Sequence, residues 1–154
     1  MREILFRGKR LDNSEWVYGS FCMDALEQFN GLCGVDGFIR LYDKTKGKMQ
    51  MHEVDRETVG QYTGLTDKNG KRIFEGDIVR ILGNQTNEDW KRVDYTALIA
   101  FIDGGFCALD GTIEDHGFRR YGLQRMDFSL EIIGNIYDNP ELLEETEESL
   151  EAHQ

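Results

Sequence analysis

The segment from Val93 to Ile102 limits the folds open to this chain more than any other. Tyr95, Ala97, Ile99 and Phe101 share one face of an extended strand, and Leu98, Ala100 and Ile102 share the other. A strand apolar on both faces must be covered twice, which predicts a central place in a sheet or a closed barrel. Neighbouring stretches keep the period of two: Ile78 to Leu82, Phe106 to Leu109, and Glu131 to Tyr137. Each is bounded by glycine or short polar residues, and one proline occurs in 154 residues. The expected class is mainly β.

Turn chemistry supports that class. Asp67-Lys68-Asn69-Gly70-Lys71 contains Asn-Gly, which tolerates the positive φ angles of a tight reverse turn. It also resembles the start of a calcium loop, but Ile78 stands where the closing bidentate Glu belongs, so a turn is the better reading. Asp103-Gly104-Gly105 is a second turn. In Glu75-Gly76-Asp77 the Asp77 carboxylate is expected to receive backbone N–H bonds ahead of the next strand. Nearer the start, Ile4 to Phe6 and Trp16 to Tyr18 flank Asp12-Asn13-Ser14, a hairpin pattern. Phe38 to Tyr42 reads as a strand, Met51 to Val54 as a short edge segment, and Thr58 to Tyr62 as a separate strand bent at Gly64. Met23 to Phe29 reads as a helical turn or a loop.

The chain closes differently. Asn139-Pro140-Glu141 starts a helix, with a capping side chain, a proline where no donor is needed, and an acid at the positive dipole end. Glu141/Glu145, Glu144/Glu148 and Glu147/Glu151 are like-charge i,i+4 pairs, each costing roughly 0.2–0.5 kcal/mol. The helix should fray after a turn or two unless a surface holds Leu142, Leu143 and Leu150.

Charge is concentrated at this end. The 18 Lys and Arg against 29 Asp and Glu give a net −11, yet nine of the acids follow Arg125, the last base. Three small basic clusters remain: Arg7 to Arg10, Lys44 to Lys48, and Arg119, Arg120 with Arg125. Solvated turns explain them, and so would weak contact with a polyanion. A 40% apolar content excludes wholesale disorder. No apolar run approaches the ~20 residues that span a bilayer, and the start lacks a signal-peptide core, so a cytoplasmic protein is expected.

Reactive constellations are weak. Cys22, Cys33, Cys107, His52, His116 and His153 have no paired metal-ligand spacing. The odd cysteine count fits reduced thiols. Cys107 and His116 could meet across a hairpin, but no third orienting group is in view. Glu75/Asp77 and Glu114/Asp115 lie in turns where solvation or capping is the default. There is no P-loop, dinucleotide fingerprint or nucleophile elbow.

Five motifs occur in order: Arg2 to Gly8, Asn13 to Gly19, Glu57 to Leu65, Asp67 to Val79, and Glu131-Ile132-Ile133-Gly134-Asn135-Ile136-Tyr137-Asp138-Asn139-Pro140-Glu141-Leu142-Leu143. This set resembles the YopX family of small phage and prophage proteins. Ser14, Arg56 and the polar loop Gly83 to Lys91 depart from its commoner pattern, in turns and loops only. The resemblance implies an N-terminal β-rich part (1–57), an SH3-type small β-barrel (58–138), a short acidic C-terminal helix (139–154), and self-assembly. It carries no catalytic, cofactor-binding or metal residue onto this chain. The resulting expectation is a non-enzymatic, cytoplasmic, homo-oligomeric accessory protein that binds a host or phage protein. The alternative is a nucleic-acid-binding module that uses the barrel face and the basic clusters.

Overall fold

The computed structural model describes residues 3–22, 37–84, 92–110, 119–123 and 129–143. The expected helical turn at 23–29 and most of the acidic C-terminal segment lie outside these residues. The chain divides into two compact units, Met1–Gly64 and Leu65–Gln154. Ten strands run through the described residues, so the molecule is mainly β.

In the first unit, β1 (Phe6–Arg10) and β2 (Trp16–Cys22) form the hairpin that the Asp-Asn-Ser turn predicts. The turn places Ser14 at φ 59°, a left-handed conformation. β2 continues the sheet to β3 (Gly37–Asp43), and β3 pairs with the first part of β4 (Lys48–Thr66). β1 then pairs with a later stretch of β4, from Val54 to Gln61. These pairings make a closed circuit from β1 through β2, β3 and β4 back to β1. Val54 meets Gly37 on one side and Arg10 on the other.

That double pairing corrects one expectation. Met51 to Val54 and Thr58 to Tyr62 are not separate segments but parts of one 19-residue strand. The polar stretch Glu53 to Glu57 looks like a loop because its side chains are charged. Its backbone is nonetheless drawn into the ladder, since β1 takes over as β3 ends. Thr58 holds the irregularity in the β1 register: its hydroxyl accepts the Lys9 N–H at 2.9 Å and donates to the Asp55 carbonyl at 2.7 Å. Close strand approach also explains Gly19, where a Cβ would strike the Arg40 carbonyl oxygen.

In the second unit, β5 (Arg72–Phe74) follows the tight turn after β4, and a five-stranded sheet runs β10-β6-β7-β8-β9. Its strands are β6 (Asp77–Asn84), β7 (Arg92–Ile102), β8 (Gly105–Asp110), β9 (Arg119–Gly122) and β10 (Ser129–Asn135). β7 is the middle strand, as its two apolar faces demand. Ala97 and Ile99 are fully buried with Ile73, Val79, Ile81, Ala108, Leu123 and Leu130 in one core. The opposite face is less covered than expected: Leu98, Ala100 and Ile102 are half-buried. Asp103 (φ 50°) and Gly104 (φ 80°) form the two-residue loop to β8, both with the positive φ that matches the strand twist.

The SH3-type barrel expected over 58–138 is not evident in these strands. Among the described residues no pairing joins β9 to β10, and the sheet is not a clear closed barrel. Residues Glu141 to Leu143 are helical, as the Asn-Pro-Glu start predicts. The Asn139 side-chain oxygen accepts the Asn135 N–H at 3.4 Å, so it braces the end of β10.

Two buried carboxylates organise this unit. Asp77 is 2% exposed and accepts the Phe74 N–H at 2.8 Å, the turn role its sequence context predicts. Asp67, 6% exposed, accepts the N–H groups of Asn69 (2.8 Å), Lys71 (2.9 Å) and Ile132 (3.2 Å). It therefore closes the Asn-Gly turn and ties it to β10, 65 residues away. Burial pushes its carboxyl upward, but the N–H bonds from Lys71, Ile132 and Asn69, with the Lys71 charge, hold it below the ordinary range.

Because the folded Asp67 titrates below the unfolded value of about 3.9, its stabilisation is complete above that pH. It is lost as pH falls through the folded value. Asp67→Asn should lose roughly 1–3 kcal/mol at pH 7, because an amide cannot accept all three bonds. The variant's stability should also fall less than the wild type's on acidification below pH ~4. Urea titrations at neutral and acid pH check both points. Ser14→Gly should raise stability by roughly 0.5–1 kcal/mol, since glycine adopts the left-handed turn without a Cβ penalty. Thermal melts read that gain directly.

Candidate interaction surface

Alternation along the closed circuit sorts the first unit's side chains onto two faces. Ile39 and Val54, both 0% exposed, belong to the inner face. Phe6 and Phe21 stack at 5.9 Å, on strand positions of that same parity. The outer face carries the residues directly opposite one another in the ladders: Tyr42 with Met49, Arg40 with Met51, and Ser20 with Arg40. Tyr18 lies two residues before Ser20 on that side.

This outer face carries several large apolar side chains that are exposed. Tyr42 and Met51 are each 57% exposed, Met49 52% and Tyr18 47%. Side chains of this size grouped on one sheet face mark a contact surface more often than scattered single residues do. Met and Tyr are well suited to contact: one is flexible and polarisable, and the other carries a polar tip on a large apolar ring. Beside Met51 lies a cleft of about 370 Å³, lined by Arg10, Leu11, Asp12, His52 and Glu53.

The basic clusters are placed unequally. Arg7 is buried with its guanidinium 4.6 Å from the Trp16 ring centroid, and the Lys9 ammonium lies 5.6 Å from the same ring. Arg10 holds Asp12 through both carboxylate oxygens, which keeps the Asp12 carboxyl below its usual range. The first cluster is thus engaged in internal contacts. Lys44, Lys46 and Lys48 are exposed at the tip of the β3–β4 hairpin. The third cluster's side chains, at Arg119, Arg120 and Arg125, lie outside the described ones.

The reactive candidates fare differently. Cys107 is 1% exposed in the second unit's core, with its thiol 3.6 Å from the Ala100 carbonyl oxygen. His116, its hypothetical partner, lies outside the described residues, as do Glu114, Asp115, Cys33 and His153. Among the described residues no group of three or more His, Cys, Asp or Glu side chains is placed to hold a metal ion. Among them, too, no helix is long and apolar enough to cross a membrane.

A family model described as YopX protein matches residues 5–144. The chain belongs to the YopX family. This YopX chain is also similar to the solved structure of protein EF1440 from Enterococcus faecalis, at 24% identity and a TM-score of 0.49. That match covers 93% of this chain and 99% of the other. No curated protein matches.

The apolar outer face was not legible in the sequence. Tyr42, Met49 and Met51 look like ordinary strand residues until the register shows them side by side. Cys107 gives the cleanest check of the thiol placement. Brief alkylation of native protein should leave Cys107 unlabelled by peptide mass mapping, with labelling only after denaturation.

Proposed function

We propose that this YopX protein is a non-enzymatic accessory protein of phage or prophage origin, cytoplasmic in its host, that works by self-assembly and protein binding through the outer face of β2, β3 and β4. The observation that supports this reading is the group of half-exposed apolar side chains Tyr18, Tyr42, Met49 and Met51 on one face. Burying such a face against a protein surface removes apolar area from water at roughly 25 cal/mol per Å². Family membership supports the phage setting by resemblance. A small barrel in the second unit would serve as a rigid platform.

A second reading, a single-stranded nucleic-acid module, has one observation in its favour: Trp16, Tyr18 and Tyr42 stand among Arg7, Lys9 and Arg40 on strands of one sheet. Aromatic rings interleaved with positive charge form a stacking platform for bases. The net charge of −11 and the stacking of Arg7 on Trp16 weigh against it.

The test is Tyr42→Ser with Met51→Ser in the full chain. Sedimentation velocity at micromolar concentration should show the wild type as an assembly and the double variant as a monomer, with unchanged circular dichroism. A variant that sediments like the wild type would remove this face as the contact surface. Salt-sensitive binding of a single-stranded oligonucleotide by the wild type, abolished in the variant, would move the assignment to the second reading.

A further inference from the structure

The register that groups the outer face also fixes which charges lie on it. On β3 that face carries Phe38, Arg40 and Tyr42, and the residues opposite them on β4 are Glu53, Met51 and Met49. Asp43 and Lys48, opposite one another, fall on the other face, and Lys46 lies 3.7 Å from the Asp43 carboxylate. Among these β3 and β4 residues the outer face therefore holds one positive and one negative side chain, Arg40 and Glu53, both exposed. Neither forms an ion pair with a described residue. They are diagonal neighbours across the two strands, positions that stand roughly 7–8 Å apart in an antiparallel ladder. The crossing diagonal runs from half-buried Phe38 to exposed Met51.

Such a patch is complementary to itself. A two-fold axis lying in the contact plane, along the Phe38–Met51 diagonal, carries Arg40 close to the position of Glu53 and Glu53 close to that of Arg40. Two copies docked about it would set Arg40 of each against Glu53 of the other, and every contact would occur twice. Met51, near the axis, would meet its own copy. The opposite charges would then select the orientation, while Met51 and its neighbours Tyr42 and Met49 supply apolar contact. We propose that the outer face binds a second copy of itself about a two-fold axis beside Met51, with reciprocal Arg40–Glu53 ion pairs that close the assembly as a dimer. This inference rests on the reading of the outer face as the contact surface.

The test is sedimentation velocity of full-length protein at micromolar concentration, with circular dichroism to confirm that each variant is folded. The wild type should sediment as a dimer that does not grow with concentration. Arg40→Glu and Glu53→Arg should each weaken dimerisation roughly tenfold or more, because each sets like charges together twice. Arg40→Glu/Glu53→Arg should dimerise like the wild type, and an equimolar mixture of the two single variants should recover the dimer. If the charge reversals leave association unchanged while Tyr42→Ser/Met51→Ser abolishes it, the two-fold pairing is wrong and the contact surface stands. If that serine variant also assembles like the wild type, both fall. A double reversal that stays monomeric overturns the pairing. So does a wild type that is monomeric, that grows past a dimer, or that associates only after a single-stranded oligonucleotide is added.

Discussion

The first unit depends on β4 carrying hydrogen-bonded neighbours along both of its edges. From Lys48 to Val54 it ladders with β3, and from Val54 to Gln61 with β1. Side chains on a strand alternate with a period of two, so a slip of one residue in either ladder would send every outer residue inward. The register that buries Ile39 and Val54 is the same register that exposes Tyr42, Met49 and Met51. Core and contact surface are thus two consequences of one pairing. Gly19 protects it, since any Cβ there would press on the Arg40 backbone and separate β2 from β3.

The second unit solves a different problem, that of closing its turns. A turn leaves backbone N–H groups with no ladder partner, and each costs free energy if it is enclosed and unpaired. Asp67 and Asp77 answer this by placing carboxyl oxygens among those donors. The Lys68–Glu131 pair at 2.6 Å reinforces the Asp67 link at the surface and holds the Glu131 carboxyl below its usual range. As a half-exposed pair it adds little on its own. Asp67 carries more weight because it is enclosed and acts on three donors at once.

What could be read from the chain alone follows from the range of each interaction. β7, the Asn-Gly and Asp-Gly turns, the Asp77 turn and the helix start at Pro140 are all set by residues within a few positions of one another. The unbroken β4 was hidden because the charges at Glu53, Asp55, Arg56 and Glu57 mimic a loop. β3 reaches no further than Val54, and pairing with β1, some fifty positions away, carries the strand on through Asp55. The same distance conceals Asp67: its bonds to Asn69 and Lys71 are local and foreseeable, while its bond to Ile132 is not. The barrel expected over 58–138 came from resemblance, and β9 and β10 lack the direct pairing that would close it among the described residues. The outer face needed the cross-strand register before its side chains could be grouped.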